Sequence, residues 1–347
     1  MTRAWRLVVP DGLDDPARPS GGNTYDRRLG NGLRARGRAV HELVAPGTWP
    51  DADGAARTSL AATLATVPDH EVVMVDGLVA SAAPEVLRPE ADRLKLVILA
   101  HMPFGELGGH AAWTAERQAM GTATAVVTTS SWTRDWLLEH YRLDPVRVHV
   151  AEPGADRAPV SAGTQGGGRL LCVAAVTPGK GHDVLVAALD RLRDLDWTCI
   201  CVGSLERHVP FAARVTAQAS DRVRFTGALP ENELARHYAA ADLLVLPTRA
   251  ESYGMVVTEA LGHGLPVVAS DVGGLPVAVG RLDDGRRPGM LVPPDDPASL
   301  AGALRAWLED EGLRESLREV ASARRTDLHP WSRTAAQVDE VLAGVAR

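Results

Sequence analysis

Lysine is almost absent from this chain: only Lys95 and Lys180 stand among its 37 basic residues, so the place of each carries information. Cysteine is nearly as scarce. The three residues at 172, 199 and 201 form no CxxC or Cys/His metal spacing. They lie in the apolar runs LLCVAA and WTCICVGS, which reads as buried free thiols in a reducing compartment rather than as disulfides or ligands. No stretch of 18 apolar residues occurs, and the apolar run in MTRAWRLVVPDG is too short for a secretory signal, so a cytoplasmic protein without a transmembrane segment is expected. Charge is also unremarkable: a net −7 with no block of one sign argues against nucleic acid as the partner. Two nucleotide fingerprints are missing. Neither half has GxGxxG after a strand, which excludes a NAD-dependent dehydrogenase, and without GxxxxGK[ST] there is no P-loop. The Asp-x-Asp pairs at Asp51/Asp53 and Asp194/Asp196 could in principle bridge a divalent ion to a diphosphate, but among 44 acidic residues they are expected by chance, and no metal is predicted.

What is present is alternation. At 347 residues the chain exceeds the size of one core, so two domains of roughly 150 residues are expected. Short apolar runs at 5–9, 39–44, 72–76, 94–100, 125–129 and 146–151 read as strands, with helical stretches such as 23–36 and 59–65 between them. After RAPVSAGTQGGG the pattern restarts, with strands at 170–175, 198–203, 223–226, 243–246, 266–269 and 290–292. This is the signature of parallel sheets covered by helices, an α/β fold. The expected division is a first domain at 1–156, a mobile linker at 157–168, a second domain at 169–330 and a helix at 331–347 that packs across the two. Pro330 and Trp331 should break the charged, amphipathic end into two helices.

Chemistry concentrates at four junctions. ESYGMVVTE places Glu251 and Glu259 eight positions apart, after the strand-like ADLLVLPTR and before GHGLPVVASDVGG. A helix starting there aims free N–H groups and a positive dipole end at a ligand, and two carboxylates can each accept a pair of hydroxyls of a sugar or ribose. In PSGGNTYDRR, Gly21 and Gly22 allow close backbone approach and Asn23 or Thr24 can cap a helix; Tyr25 and Asp26 face either an acceptor or solvent. His101, in AHMPFG, ends the most apolar strand of the first half, the edge at which open parallel sheets bind ligands; His110 is a weaker candidate in a Gly-rich loop. In TPGKGHD, Lys180 stands where a phosphate would meet a helix N-terminus, although a surface lysine would look the same. Trp113 and Trp132 could stack on an acceptor but fit core packing better.

Taken together, CVAAVTPGKGHDVL, VGS, RVRFTGALPENELARHYAAADLLVLPTRAESYGMVVTEALGHGLPVVASDVGGLPV and GMLVPPDDPASLAGAL resemble the family 4 retaining glycosyltransferases of GT-B fold. The first half matches more loosely, through SGGNTY, AHMPFG and the region from TTSSWTRDWL to AEPGAD. The resemblance implies two Rossmann-like domains facing across a cleft, the last helix crossing back to the first, and the donor held mainly by the second. It implies that Glu259 takes the ribose hydroxyls and Glu251 a sugar hydroxyl. Backbone groups of Tyr253, Gly254, Met255 and Val256 would contact sugar and phosphate, and Leu229 would meet the base beside Gly203. Lys180 would neutralise the diphosphate with help from Gly21 and Gly22, and His101 would lie beside the reacting carbon. One position departs from the pattern: relatives carry an Arg five residues before the Lys, where this chain has Ala175. Arg249 and Arg207 are candidate replacements.

The expected activity is therefore metal-independent, cofactor-free transfer of a hexose, with retention, from a nucleoside-diphosphate sugar, UDP by default, to a small soluble acceptor. The diphosphate oxygen itself could take the acceptor proton, which requires no protein base. A sugar phosphorylase or sugar-nucleotide epimerase of the same fold, or an inactive nucleotide-sugar binder, are the alternatives.

Overall fold

The computed structural model describes residues 4–15 and 20–347; residues 1–3 and 16–19, over which the sequence reading also ran, lie outside the described residues. The chain divides into two compact units. The first contains a six-stranded parallel sheet in the order β2-β1-β3-β4-β5-β6, formed by β1 (Ala4–Pro10), β2 (Ala39–Ala45), β3 (Val72–Asp76), β4 (Lys95–Ala100), β5 (Ala125–Thr128) and β6 (Val148–Val150). All five residues of β3 are buried, as a central strand with helices on both faces requires. That is why its sequence, VVMVD, shows no polar alternation. The helix Gly21–Ala35 buries Leu29 and Leu33 toward the sheet.

The second unit repeats the plan with β7 (Arg169–Val173), β8 (Thr198–Val202), β9 (Val223–Gly227), β10 (Leu243–Leu246), β11 (Val267–Ser270) and β12 (Gly289–Val292), in the order β12-β11-β10-β7-β8-β9. The twelve strands match the apolar runs to within two residues at either end, because in a doubly covered sheet burial alone marks the strand. Among the described residues no helix is long and apolar enough to cross a membrane.

Two local expectations change, and the last helix falls with the first unit as the resemblance implies. The segment 157–168 is coil that belongs to the second unit. Ser161 Oγ donates to the carbonyls of Ala239 and Ala241 at 3.0 and 2.6 Å, Thr164 Oγ1 to Asp242 at 2.7 Å, and Trp307 Nε1 to the Gly167 carbonyl at 2.8 Å. Thr164, through its N–H and its hydroxyl, satisfies the buried Asp242 together with the Arg169 N–H, so a segment with the composition of a spacer is tied down by hydrogen bonds. The end of the chain forms three helices rather than two, Pro297–Glu309, Glu311–Asp327 and Trp331–Val345. Asp310 closes the first and caps the second by accepting the Leu313 N–H at 3.0 Å, a break the periodicity did not show. The last helix is counted with the first unit, where Ala335 packs so closely on the helix Gly21–Ala35 that a Cβ on Gly32 would come within 2.6 Å of its methyl.

Candidate functional site

In each sheet, ligand chemistry gathers where the strand order reverses. In the second unit β7 is followed by β8 on one side, whereas β10 returns to the other side of β7. The loops leaving the carboxyl ends of β7 and β10 therefore lie at the strand-order reversal, the general ligand position of open α/β sheets. Lys180 comes from the first loop and Glu251 from the second. Lys180 Nζ donates to Glu251 Oε2 at 2.7 Å, with the side chains 33% and 16% exposed, so the scarce lysine and the first carboxylate form one half-buried ion pair.

The loops are held by backbone that only glycine can supply. Gly181 has φ 69°, and a Cβ on it would lie 1.9 Å from the Pro247 carbonyl oxygen. Gly273, at φ 55°, and Gly274 pass beneath the Glu251 loop, where a Cβ would stand 1.9 Å from the Glu251 oxygen and 2.1 Å from that of Ser252. The Gly274 N–H donates to the Glu251 carbonyl at 2.9 Å. Gly254 takes φ 92° to turn the chain into the helix Met255–Gly262, which begins without a side-chain cap. The N–H groups of its first turn, Met255 and Val256 among them, point out of the helix end beside Glu251.

Arg249 does not stand in for a cation at Ala175. Its guanidinium bonds both carboxylate oxygens of Asp183 at 3.0 Å, Asp295 Oδ1 at 2.5 Å and the Pro178 carbonyl. It ties the Lys180 turn to the Glu251 loop, and those acidic partners hold its own ionisation above the ordinary value, the Asp183 hydrogen bonds contributing most. Arg207 lies exposed after β8.

Glu259 is placed one helix turn further in. Its Oε2 accepts the Tyr238 hydroxyl at 2.9 Å, and Tyr238 stacks on His263 with ring centroids 5.2 Å apart. Burial, together with the neighbouring Glu259 charge, pushes the Tyr238 phenol well above its usual value, so Tyr238 stays protonated and donates to Glu259. Gly203 and Leu229 follow the carboxyl ends of β8 and β9. A Cβ on Gly203 would meet the Ala174 carbonyl at 1.9 Å, and Leu229 packs against the apolar cluster that contains Tyr238 and Tyr253.

In the first unit the reversal falls between β1 and β3. The helix after β1 begins at Gly21 and is capped by Ser20, whose Oγ accepts the Asn23 N–H at 3.0 Å; the capping expected of Asn23 or Thr24 is corrected, and both glycines lie in the first helical turn. Gly22 lies against the His101 ring, where a Cβ would stand 3.4 Å from it. His101 Nε2 meets Asp26 Oδ1 at 3.0 Å and Asp76 Oδ2 at 3.1 Å, and the Tyr25 ring stands edge-on to the imidazole at 5.3 Å. Asp26 thus faces neither solvent nor an open surface; it is buried against His101. Burial would pull the His101 pKa down, but the charge and hydrogen bond of Asp26, joined by those of Asp76, push it up to about 10. Asp26 itself is raised to about 6, chiefly by burial. The loop after His101 is fixed by Glu116, which accepts the Phe104 and Gly105 N–H groups at 3.1 and 2.7 Å and the Tyr141 hydroxyl at 2.6 Å. Trp113 stands edge-on to Tyr141 at 5.4 Å, and His110 stacks on Trp113 at 6.2 Å, so these aromatics pack on one another.

The sequence reading missed Asp76, Tyr238, Asp183 and Glu116. Asp76 had a signal: like His101 it ends an apolar strand, and it is followed by glycine. One member of each acidic pair has a structural partner. Asp53 caps the helix Gly54–Ala65, and Asp194 binds Arg305 at 2.8 and 2.9 Å. The three thiols are free and buried. Cys172, Cys201 and His182 bring ligand-type atoms within 4.8 Å of one another. They offer three donors in an apolar core, and His182 Nδ1 has no partner to orient the ring as a ligating histidine needs, so this is a core contact.

Known proteins resemble this chain in both halves. The family described as Glycosyltransferase Family 4 matches residues 19–158, and that described as Glycosyl transferases group 1 matches residues 167–310. A D-inositol 3-phosphate glycosyltransferase of Jonesia denitrificans is 33% identical over 245 residues, 63% of this chain and 57% of the relative. One from Corynebacterium diphtheriae is 30% identical over 285 residues, 74% of this chain and 64% of the relative. The matches thus span less than two thirds of these relatives. Among solved structures, sucrose-phosphate synthase from Thermosynechococcus elongatus superposes with a TM-score of 0.80 at 21% identity, covering 99% of this chain and 98% of that one. Anabaena HepE in complex with UDP and glucose gives 0.78 at 18% identity, covering 98% and 99%.

Proposed function

Because the chain belongs to the group 1 and family 4 glycosyltransferases, we propose that it transfers a hexosyl group from a nucleoside-diphosphate sugar to a small soluble acceptor, with retention at the anomeric carbon and without a metal ion. The observation that carries this reading is the Lys180–Glu251 pair at the strand-order reversal of the second unit, beside an uncapped helix end. Lys180 meets diphosphate charge, Glu251 and Glu259 accept sugar and ribose hydroxyls, and Tyr238 keeps Glu259 pointed. UDP is the proposed nucleotide, a choice supported by the ligand of HepE. In the reaction the acceptor oxygen bonds to the anomeric carbon as the bond from that carbon to the diphosphate breaks. The acceptor proton passes to the departing phosphate oxygen. Developing charge on the leaving group is met by Lys180 and the helix N-terminus; with Ala175 in place of the family's Arg and Arg249 bound to two aspartates, Lys180 is the cation that the β7 loop provides. The free thiols fit a reducing cytoplasm.

The test is calorimetric titration of UDP into wild type and Glu259→Ala, with transfer from UDP-hexoses assayed over neutral and phosphorylated polyols with and without EDTA. We expect wild type to bind UDP, Glu259→Ala to bind it at least about tenfold more weakly, and transfer to survive EDTA. Equal affinity would overturn the ribose role of Glu259. Turnover that requires free phosphate, or none that consumes an acceptor, would replace transfer with phosphorolysis or epimerisation.

A further inference from the structure

The first unit holds a charged cluster that a fold would not keep for stability alone. Asp26 and Asp76 are 6% and 5% exposed, two carboxylates 50 positions apart in sequence that converge on one nitrogen of His101. Asp76 has a structural use, since its Oδ1 accepts the Leu78 and Val79 N–H groups at 2.7 and 3.3 Å and starts a short helix. Asp26 has none: its Oδ1 meets His101, and its Oδ2 is buried without any partner. An orphaned carboxylate oxygen in the interior is costly, and an apolar side chain of similar size would pack there at less expense. What Asp26 supplies is charge beside the imidazole. With Nε2 turned inward to the carboxylates, the nitrogen left for a ligand is Nδ1, which no group among the described residues bonds. The rotamer is held from other sides as well: Gly22 lies against one part of the ring, Tyr25 stands edge-on, and Thr129 Oγ1 donates to the His101 carbonyl at 3.1 Å.

We propose that Asp26 and Asp76 are positioning residues that fix His101 in one rotamer and in its doubly protonated form, so that it presents a positively charged Nδ1–H to an oxygen of the substrate and cannot act as a base. The proposal rests on His101 as the ligand-facing group of the first unit and sharpens its role: the imidazole is a fixed cation whose chemistry is to bind oxygen. It also accounts for the placement of the three residues, on the helix that follows β1, at the end of β3 and directly after β4, that is, at the two strands flanking the reversal and the next one over. The groups facing His101 that titrate or carry charge are Asp26, from the helix after β1, and Asp76, from the end of β3; the Tyr25 hydroxyl is committed to the Ala151 carbonyl at 2.8 Å.

The experiment follows the His101 ring by NMR in the full-length protein labelled at histidine, with the signal assigned by its loss in His101→Gln. In wild type the ring should stay doubly protonated from pH 6 to pH 8.5 and titrate above that. In Asp26→Asn, which keeps the shape, the midpoint should fall by about one to three pH units. Asp76→Asn, which can still cap its helix through Oδ1, should lower it by a similar amount, and thermal melts of both variants identify any that fail to fold. With UDP-hexose, Asp26→Asn should lower kcat by about tenfold or more and change the KM for donor much less. A wild-type ring that titrates near 6.5, or a folded Asp26→Asn whose ring titrates as wild type, overturns the proposal whatever the activity. A high midpoint in a protein that transfers no sugar would overturn the functional reading and leave this one standing.

Discussion

Replacing Gly273 by alanine should uncouple the Glu251 loop from its support. At φ 55° any residue with a Cβ is strained by about 1–2 kcal/mol. The added carbon would also lie 1.9 Å from the Glu251 carbonyl oxygen, a backbone atom with no rotamer to escape into. Relief requires the two segments to part by roughly 1 Å, which stretches the Gly274 N–H bond to that same oxygen, worth about 1 kcal/mol. The total is about 3 kcal/mol, or a melting point lower by about 6–12 °C for a unit of this size. Gly285→Ala is the matched control. Its φ is 86°, but a Cβ there meets nothing within 4 Å, so it carries the backbone strain alone. Differential scanning calorimetry and UDP titration of both variants separate the terms. Gly285→Ala should bind UDP as wild type, whereas Gly273→Ala should melt lower than the control and bind about tenfold or more weakly. If the two variants melt together and bind UDP alike, the close approach beneath Glu251 does not organise the site.

Lys180→Met should reduce kcat with UDP-hexose by about a hundredfold or more, because it removes the cation the β7 loop offers to the leaving group; a loss below threefold in steady-state assays would show that charge to come from elsewhere. Arg249→Lys keeps the charge but not the fork that spans Asp183 and Asp295, so the unfolding free energy should fall by on the order of 1 kcal/mol, lowering the urea midpoint, and the KM for donor should rise as the two loops loosen. An unchanged midpoint and KM would make the clamp dispensable. The alkaline limb of stability should trace to His101. Its pKa is raised from 6.5 to about 10 on folding, so its stabilisation is complete below pH 6.5 and is lost as pH rises through 10. Urea unfolding of wild type between pH 7 and 10 should therefore show a steeper decline than His101→Gln; parallel curves would contradict the raised value.

The sequence by itself determined the elements. VVMVD, LVILA and LLVL are apolar without alternation, and a doubly covered strand can look like nothing else, so the sheets and their boundaries were legible where burial is local in sequence. Lys180, Glu251 and His101 were legible for a related reason: His101 follows directly on such a strand and Lys180 and Glu251 lie in the loops that leave two others, and carboxyl ends of parallel strands are where ligands bind. Only the tertiary structure decided what each touches. Nothing near Arg249 in sequence says that its charge is spent on Asp183 and Asp295, and nothing near Glu259 names Tyr238. The same holds for Asp26, a surface-like residue in GGNTYDRR that becomes the buried partner of a histidine 75 positions away. Local propensity and burial act within a few residues, and they fix strands and caps. Strand order acts across the whole unit, and it is the reversal of that order which brings the ends of β1, β3 and β4 together in one unit and the loops of β7 and β10 in the other.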